Sequence, residues 1–531
     1  MNWKPILCVL GAILINLTLG TFYSVGNVVP YLVSYMRGAG NSGVTFEHGT
    51  WITATFLMGQ GLFIIVGAYI ERAFNSRVAC ILGCIIHCTS TYLTMWAVNA
   101  NITMVILFYG FGSGLGCGSA YMASIIAAQK WFPTKKGLFT GIIVAGFGFG
   151  GMIFTNLQTL YMNPENISPD QETGYFEGGD RKVVRERVPM LFLYSGIIYT
   201  VVQLIGCAIA FPPPSTTDSN IINDNNKNNS AAVRNSPATT IYDDSLPNMT
   251  GVTSAFQYKI FYIIGLMMML VAPGVTFVNS LGKRYGQFYI DDDRYLATVV
   301  AVAAVANAAG RLTWGILVDY FSFSTCYLIK IILFATLIAT FPFAFVLSSS
   351  ALYMIWMLGL FFGFSGTFVL FPVFIEQVFG AQYHGIVYGI LYLLLATSSI
   401  LTSFLIQAVI GPALSGGDKN DAAKILTRKV PCWGIAASYL LSYAIFFLAL
   451  PIRRIENSIR KRKDAELNKT QNTSLANRPD LLVPSGGVSF DSAKRDKESV
   501  GNQQTKSLGS IVRFADTPVE INAQPVRQRR V

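Results

Sequence analysis

Arg311 stands inside a run of small and apolar residues, eight positions before Asp319. At 1.5 Å per residue that is about 12 Å along a helix, too deep for the side chain to snorkel easily to water. It reads as the only lysine or arginine lying well inside any apolar run. An arginine at such depth is costly unless it faces a cavity or a partner. Its planar fork of donors suits a carboxylate held by two parallel hydrogen bonds, and a low local dielectric strengthens the contact. The chemistry to expect is recognition of an organic anion. The structural alternative is an arginine tied to Asn307 one turn back, or to backbone carbonyls.

Other polar groups in apolar runs point elsewhere. Cys80, Cys84 and Cys88 share one helical face beside His87, but cysteines in an unbroken apolar helix are packing residues, and no metal is expected. His87 reads as a core histidine. No run carries an aspartate or glutamate near its middle, and Glu376 sits at an end, so no carboxylate for proton coupling is evident. No nucleophile or phosphate-binding constellation appears; neither an enzyme nor a cofactor is expected.

The elements that hold Arg311 follow from composition. Of 531 residues, 52% are hydrophobic and only 13% charged, against roughly 25% in soluble domains. Lipid is the expected solvent, and the 48 glycines, many within apolar runs, fit close helix packing there. A helix needs about 20 apolar residues to cross the hydrocarbon core. Six such runs precede residue 212: Pro5 to Pro30, Thr50 to Ile70, Val78 to Val98, Ile102 to Ala128, Gly137 to Tyr161 and Pro189 to Phe211. Six more follow residue 257: Tyr258 to Leu281, Tyr295 to Val318, Cys326 to Leu347, Leu352 to Ile375, Gly385 to Ile410 and Cys432 to Leu450.

The expected fold is an all-α membrane protein of twelve transmembrane helices in two pseudo-symmetric six-helix halves, 1–211 and 258–452. Between them 212–257, rich in Asn, Ser, Thr and Asp after Pro212 to Pro214, reads as a disordered cytoplasmic linker. The stretch 453–531 reads as a disordered cytoplasmic tail.

The net charge of +11 comes from short connections and the tail, as in Arg453, Arg454 and Arg460 to Lys463. These are juxtamembrane cations facing lipid headgroups, and no nucleic acid is expected. Arg72, Arg77, Lys130, Lys135 and Lys136 fall on the same side as that cluster, which is then cytoplasmic with both termini. The loop from Met162 to Val188 and Asp291 to Asp293 face outside, where the sequon at Asn166 is a glycosylation candidate. The eight cysteines lie in or beside apolar runs and imply no disulfide framework. The apolar N-terminus reads as a retained helix.

An internal repeat sharpens the architecture. Gly67 precedes Glu71 and Arg72, with Arg77 beyond, at the junction of spans 2 and 3; Gly315 precedes Asp319 at the junction of spans 8 and 9. A glycine four residues before a carboxylate at corresponding junctions is the mark of a duplicated six-helix unit. The glycine lets helices approach, and the carboxylate can pair with nearby cations and a facing helix end to latch one conformation. The alternative is an ordinary polar boundary between helix and loop.

These junctions resemble those of the major facilitator superfamily. Further residues make the chain similar to its oxalate:formate antiporter and monocarboxylate transporter group: Gly114, Gly116, Gly118, Ala120 and Tyr121; Trp131-Phe132-Pro133 before Lys135, Lys136 and Gly137; Thr140-Gly141 and Ala145 to Gly148 with Gly150; Ala306-Asn307, Gly310-Arg311 and Trp314-Gly315; Phe371-Pro372 before Phe379-Gly380. The resemblance implies a substrate-binding arginine at Arg311 and pocket aromatics at Tyr121, Phe364 and Phe368. Tyr23, Tyr388 and Tyr392 are further candidates for an aromatic box around a substrate. The resemblance also implies a second cation in dicarboxylate carriers, and its position falls here on Leu395. One cation holds one carboxylate.

The expected function is secondary transport of a small organic anion, a monocarboxylate, by alternating access in the plasma membrane. Two alternatives stand: a carrier of a neutral or cationic solute with a structural Arg311, and a non-transporting sensor or scaffold whose tail binds other proteins.

Overall fold

The computed structural model describes residues 3–41, 43–132, 136–170, 175–176, 181–210, 247, 249–287, 290–343, 347, 349–380, 382–409, 422–451 and 454–461. Among these the chain is all helical, with twelve helices long and apolar enough to cross a membrane. They are α1 (Lys4–Gly38), α2 (His48–Ala73), α3 (Ser76–Ala100), α4 (Ile102–Gln129), α5 (Leu138–Met162), α6 (Val188–Ile209), α7 (Lys259–Gly286), α8 (Asp293–Tyr320), α9 (Phe323–Thr340), α10 (Ser350–Phe379), α11 (His384–Ala408) and α12 (Pro431–Ala449).

Their starts are written in short polar side chains. Asn75, Asn101, Asp292, Ser322 and Ser349 each accept a hydrogen bond from the backbone N–H three residues on, capping α3, α4, α8, α9 and α10. The glycines of α4 serve packing. A Cβ on Gly114 or Gly118 would strike the Phe56 or Gln60 carbonyl of α2, and one on Gly116 the backbone of His87 in α3. A Cβ on Gly67 would likewise come within 2.9 Å of the Ser119 Cα.

Two seams join the halves. Along α5 and α8, Gly148 faces Ala308 and Gly151 faces Ala304, where added Cβ atoms would come within 2.7 and 3.1 Å of the alanine side chains. Along α2 and α11, Gly389 leaves room for Ile64 and Ile65. Gly148→Val overfills the first seam, and we expect a loss of about 1–3 kcal/mol in stability. Thermal unfolding of the purified chain in detergent reads that loss as a lower Tm.

Several boundaries differ from those the sequence suggests. α1 runs through Pro30 to Gly38, because proline is tolerated inside membrane helices. α8 begins at Asp293, earlier than Tyr295, because Asp292 caps it. The linker reading of 212–257 is too long: Val252–Gln257 form a 3₁₀ turn with Ala255 buried. The tail reading also starts too early, since residues 454–461 are helical with Ile455 and Ile459 buried one turn apart. Residues 212–246 and 248 of the first segment, and 453 and 462–531 of the second, lie outside the described residues, as do Pro133 to Lys135.

Candidate functional site

Irregular turns in two helices and a proline inside a third set the geometry of the centre. Within α1, residues Gly20–Ser24 tighten to a 3₁₀ turn carrying Phe22 and Tyr23. In α10 a turn at Gly366 separates Ser350–Ser365 from Thr367–Phe379, and Pro372 cannot donate to the carbonyl of Phe368 four residues earlier. In α7, Pro273 likewise frees the Met269 carbonyl, which accepts instead from Ser398 Oγ at 2.6 Å. Neighbouring carbonyls of Val271 and Met267 accept from Tyr439 at 2.9 Å and Ser442 at 3.3 Å, so side-chain hydroxyls of α11 and α12 brace this helix.

Between the halves lies a small cavity lined by Phe22, Tyr23, Gln60, Tyr121, Phe147, Arg311, Phe368 and Tyr392. Arg311 is 2% exposed. Its Nε donates to Asn307 Oδ1 at 3.0 Å, Nη1 to the Val144 carbonyl at 3.4 Å, and Nη2 to the Tyr23 hydroxyl. The rings of Tyr23, Phe147 and Phe368 lie 5.6, 5.1 and 5.3 Å from its guanidinium carbon, within reach of the cation–π attraction. A guanidinium has five N–H donors, and these contacts use three. The Tyr121 hydroxyl also lies against the guanidinium, whose planar terminal nitrogens are the groups that a carboxylate engages bidentately. No ion pair to Arg311 occurs among the described residues.

The sequence-derived residues divide accordingly. Arg311, Tyr23, Tyr121, Phe368 and Tyr392 meet at the cavity. Phe364 lies behind the wall, 5.9 Å from the Tyr23 ring and 6.4 Å from that of Phe368. Tyr388 is also set back, edge-on to Tyr392 at 5.6 Å and beside His384. Leu395 is fully buried. Phe22, Gln60 and Phe147 line the cavity without having been singled out as site residues; Gln60 accepts from Tyr392 at 2.8 Å. A buried glutamine in α2 was the available signal. His87 and the cysteines are packing groups as expected: His87 lies against Tyr199 and Gln203, and Cys84 sits 3.6 Å from Cys207.

One expectation about charge needs correction. Arg311 is not the only cation deep in a span, because α9 buries Lys330 completely and α7 carries Lys283 and Arg284 in its last turn. Asp293, at the start of α8 and before the apolar run, forms an ion pair with Lys283 at 2.9 Å, both side chains fully buried. Tyr31 and Asn163 donate to the other Asp293 oxygen at 2.5 and 3.1 Å, and Lys283 donates to Asn27 at 2.8 Å. Ser280 donates to Thr53 at 2.8 Å and Asn279 to the Phe22 carbonyl at 3.3 Å. This end of the bundle is therefore sealed by polar contacts from α7 and α8 to the first half. Nearby, Asn166 donates to Asp292 and accepts from the Arg294 N–H. The Asp292 carboxyl is held below its ordinary range, first by the Tyr295 backbone N–H, then by Asn166 and Arg294.

At the opposite end Glu71 pairs with Lys130 at 2.7 Å and accepts from Ser76. Arg72 crosses to the second half, donating to the Gln382 carbonyl and covering the Tyr383 ring. Arg77 is exposed on α3, and Asp319 is exposed at the end of α8 beyond buried Gly315.

Twelve membrane helices in two halves, broken around a shared cavity and sealed by contacts between the halves, define a membrane transporter. The chain belongs to the Major Facilitator Superfamily, whose family model matches residues 11–403. It is 26% identical over 461 residues to apicoplast pyruvate carrier 1 of Toxoplasma gondii, covering 77% of this chain and 84% of that protein. It is 24% identical over 352 residues to the oxalate:formate antiporter of Oxalobacter formigenes, covering 65% and 71%. The crystal structure of a D-xylose-proton symporter superposes with a TM-score of 0.62 at 13% identity, covering 84% of this chain and 98% of that one. That likeness is one of fold.

Proposed function

We propose that this transporter carries small organic monocarboxylates, with the 2-oxo acid pyruvate as a representative cargo, by alternating access. The carrying observation is the Arg311 guanidinium, which has no ion-pair partner among the described residues and lines a small aromatic cavity, while Leu395 stands where a second cation would serve a second carboxylate. The names of the similar pyruvate carrier and oxalate:formate antiporter support an organic anion as cargo. Aromatic walls supply apolar contact to the short body of such an acid, and the cation fixes its orientation.

In this reading both termini and the Glu71–Arg72 end face the cytoplasm, and the Asp293 end faces outside. The plasma membrane is the proposed location. Glu71, Arg72 and Arg77 with Gly67 form the cytoplasmic gate, which Gly315 and Asp319 repeat in the second half. Proteoliposomes containing the full chain test the cargo. Pyruvate, lactate and formate should enter saturably and compete with one another, whereas oxalate, a neutral sugar and an organic cation should not compete. Uptake of the neutral or cationic solute with no competition from monocarboxylates would sink the reading.

A further inference from the structure

Lys330 lies seven residues into α9 from Phe323, and its side chain is completely buried. Its Nζ has no hydrogen-bond partner among the described residues. What it faces is aromatic: the ring of Tyr327 on its own helix at 5.5 Å and the ring of Tyr439 on α12 at 4.8 Å. α9 packs on α12, α10 and α8. From these helices no described carboxylate, arginine, lysine or histidine acts on the amine; the titratable groups beside it are the two tyrosines. An ammonium enclosed without a counter-charge is less favourable than an amine that has given up its proton. The ring faces offer some cation–π attraction, but this packing supplies no counter-charge and no hydrogen-bond acceptor for an ammonium.

The two tyrosines are also the groups that hold α7. Tyr439 donates to the Val271 carbonyl at 2.9 Å, and the Tyr327 hydroxyl shares a 2.5 Å hydrogen bond with Ser442, which donates to the Met267 carbonyl. These carbonyls stand within two turns before Pro273. Beyond the proline the same helix presents Asn279, Ser280 and Lys283, which close the Asp293 end against the first half. A titratable amine thus sits against the brace of the helix that carries the seal.

We propose that Lys330 is a proton-binding site whose occupancy opens the Asp293 end through α7. The proton adds to the free electron pair of the amine, and no other bond changes. The ammonium then needs water or a counter-charge that this packing does not provide, so Tyr327 and Tyr439 yield, the carbonyl brace loosens, and the seal weakens. The sign follows by linkage: the sealed form binds fewer protons at Lys330 than the open form, so lowering the pH shifts the population toward the open form.

The test does not depend on which solute is carried. In the full chain in detergent, Ser280→Cys introduces a thiol at the seal, and its modification by a bulky water-soluble maleimide reports opening. The parent chain supplies the background, since its own eight cysteines are buried. Labelling should accelerate as the medium goes from mildly alkaline to mildly acidic, by at most about tenfold per pH unit for one linked proton, after correction for thiolate reactivity. Adding Lys330→Met, similar in length and unable to bind a proton, should leave labelling slow throughout. Tyr439→Phe, which removes the hydroxyl to Val271, should make labelling fast at every pH and so tests the brace independently. A Lys330→Met chain that keeps the pH response, or a parent Ser280→Cys chain that has none, would overturn the proposal.

Discussion

Arg311→Ala should lower the transport rate of a monocarboxylate about 100-fold or more, because two charge-assisted hydrogen bonds of about 1.5–3 kcal/mol each disappear. The measurement is initial uptake into proteoliposomes, normalised to the amount of inserted protein. Arg311→Lys keeps the charge but loses the fork, and it should remain well below the parent. Arg311 also ties α8 to Val144 and Tyr23, so impaired movement could mimic lost binding. Ligand-induced thermal stabilisation separates the two, since it needs binding alone. A variant that is still stabilised by pyruvate as strongly as the parent would place the role of Arg311 in movement, and unchanged uptake would remove the anion hypothesis.

The second large effect falls on the sealed end. Asp293→Ala should destabilise the sealed form by about 3–5 kcal/mol, because it leaves Lys283 buried without its counter-charge. Lys283→Met should cost a comparable amount, through the abandoned Asp293. The double variant Lys283→Met with Asp293→Leu should regain most of the loss, since removing both charges also removes the cost of burying either. Thermal unfolding of the four chains in detergent gives the coupling energy directly. Simple additivity of the two single effects would show that the pair does not act as a unit.

The twelve spans were legible because lipid demands long apolar helices, and that demand appears in any window of the right length. Arg311 was legible for the same reason, as a charge in the wrong solvent. Asp293, Lys283 and Lys330 were not, since all three stand within about two turns of a helix end, where hydropathy reads a charge as a boundary. Only the fold shows them turned inward. Gln60, Phe22 and Phe147 escaped for another reason: in a helix apolar on every side, sequence does not say which face meets a cavity. The glycines of α4 and α5 carried family likeness, and the structure gives their physical content as places where backbones touch.

The lone cation in the cavity also makes the carrier an electrical device. For the proposed monocarboxylate cargo, Arg311, unpaired by any described carboxylate, gives an empty binding site with one positive charge and a loaded site with none. Moving one charge across a full membrane potential of 100 mV changes its energy by about 2.3 kcal/mol. An inside-negative voltage therefore detains the unloaded carrier at its inward station while leaving the loaded traverse untouched. One-for-one swapping of anions proceeds without current, and net accumulation works against the field on every return stroke.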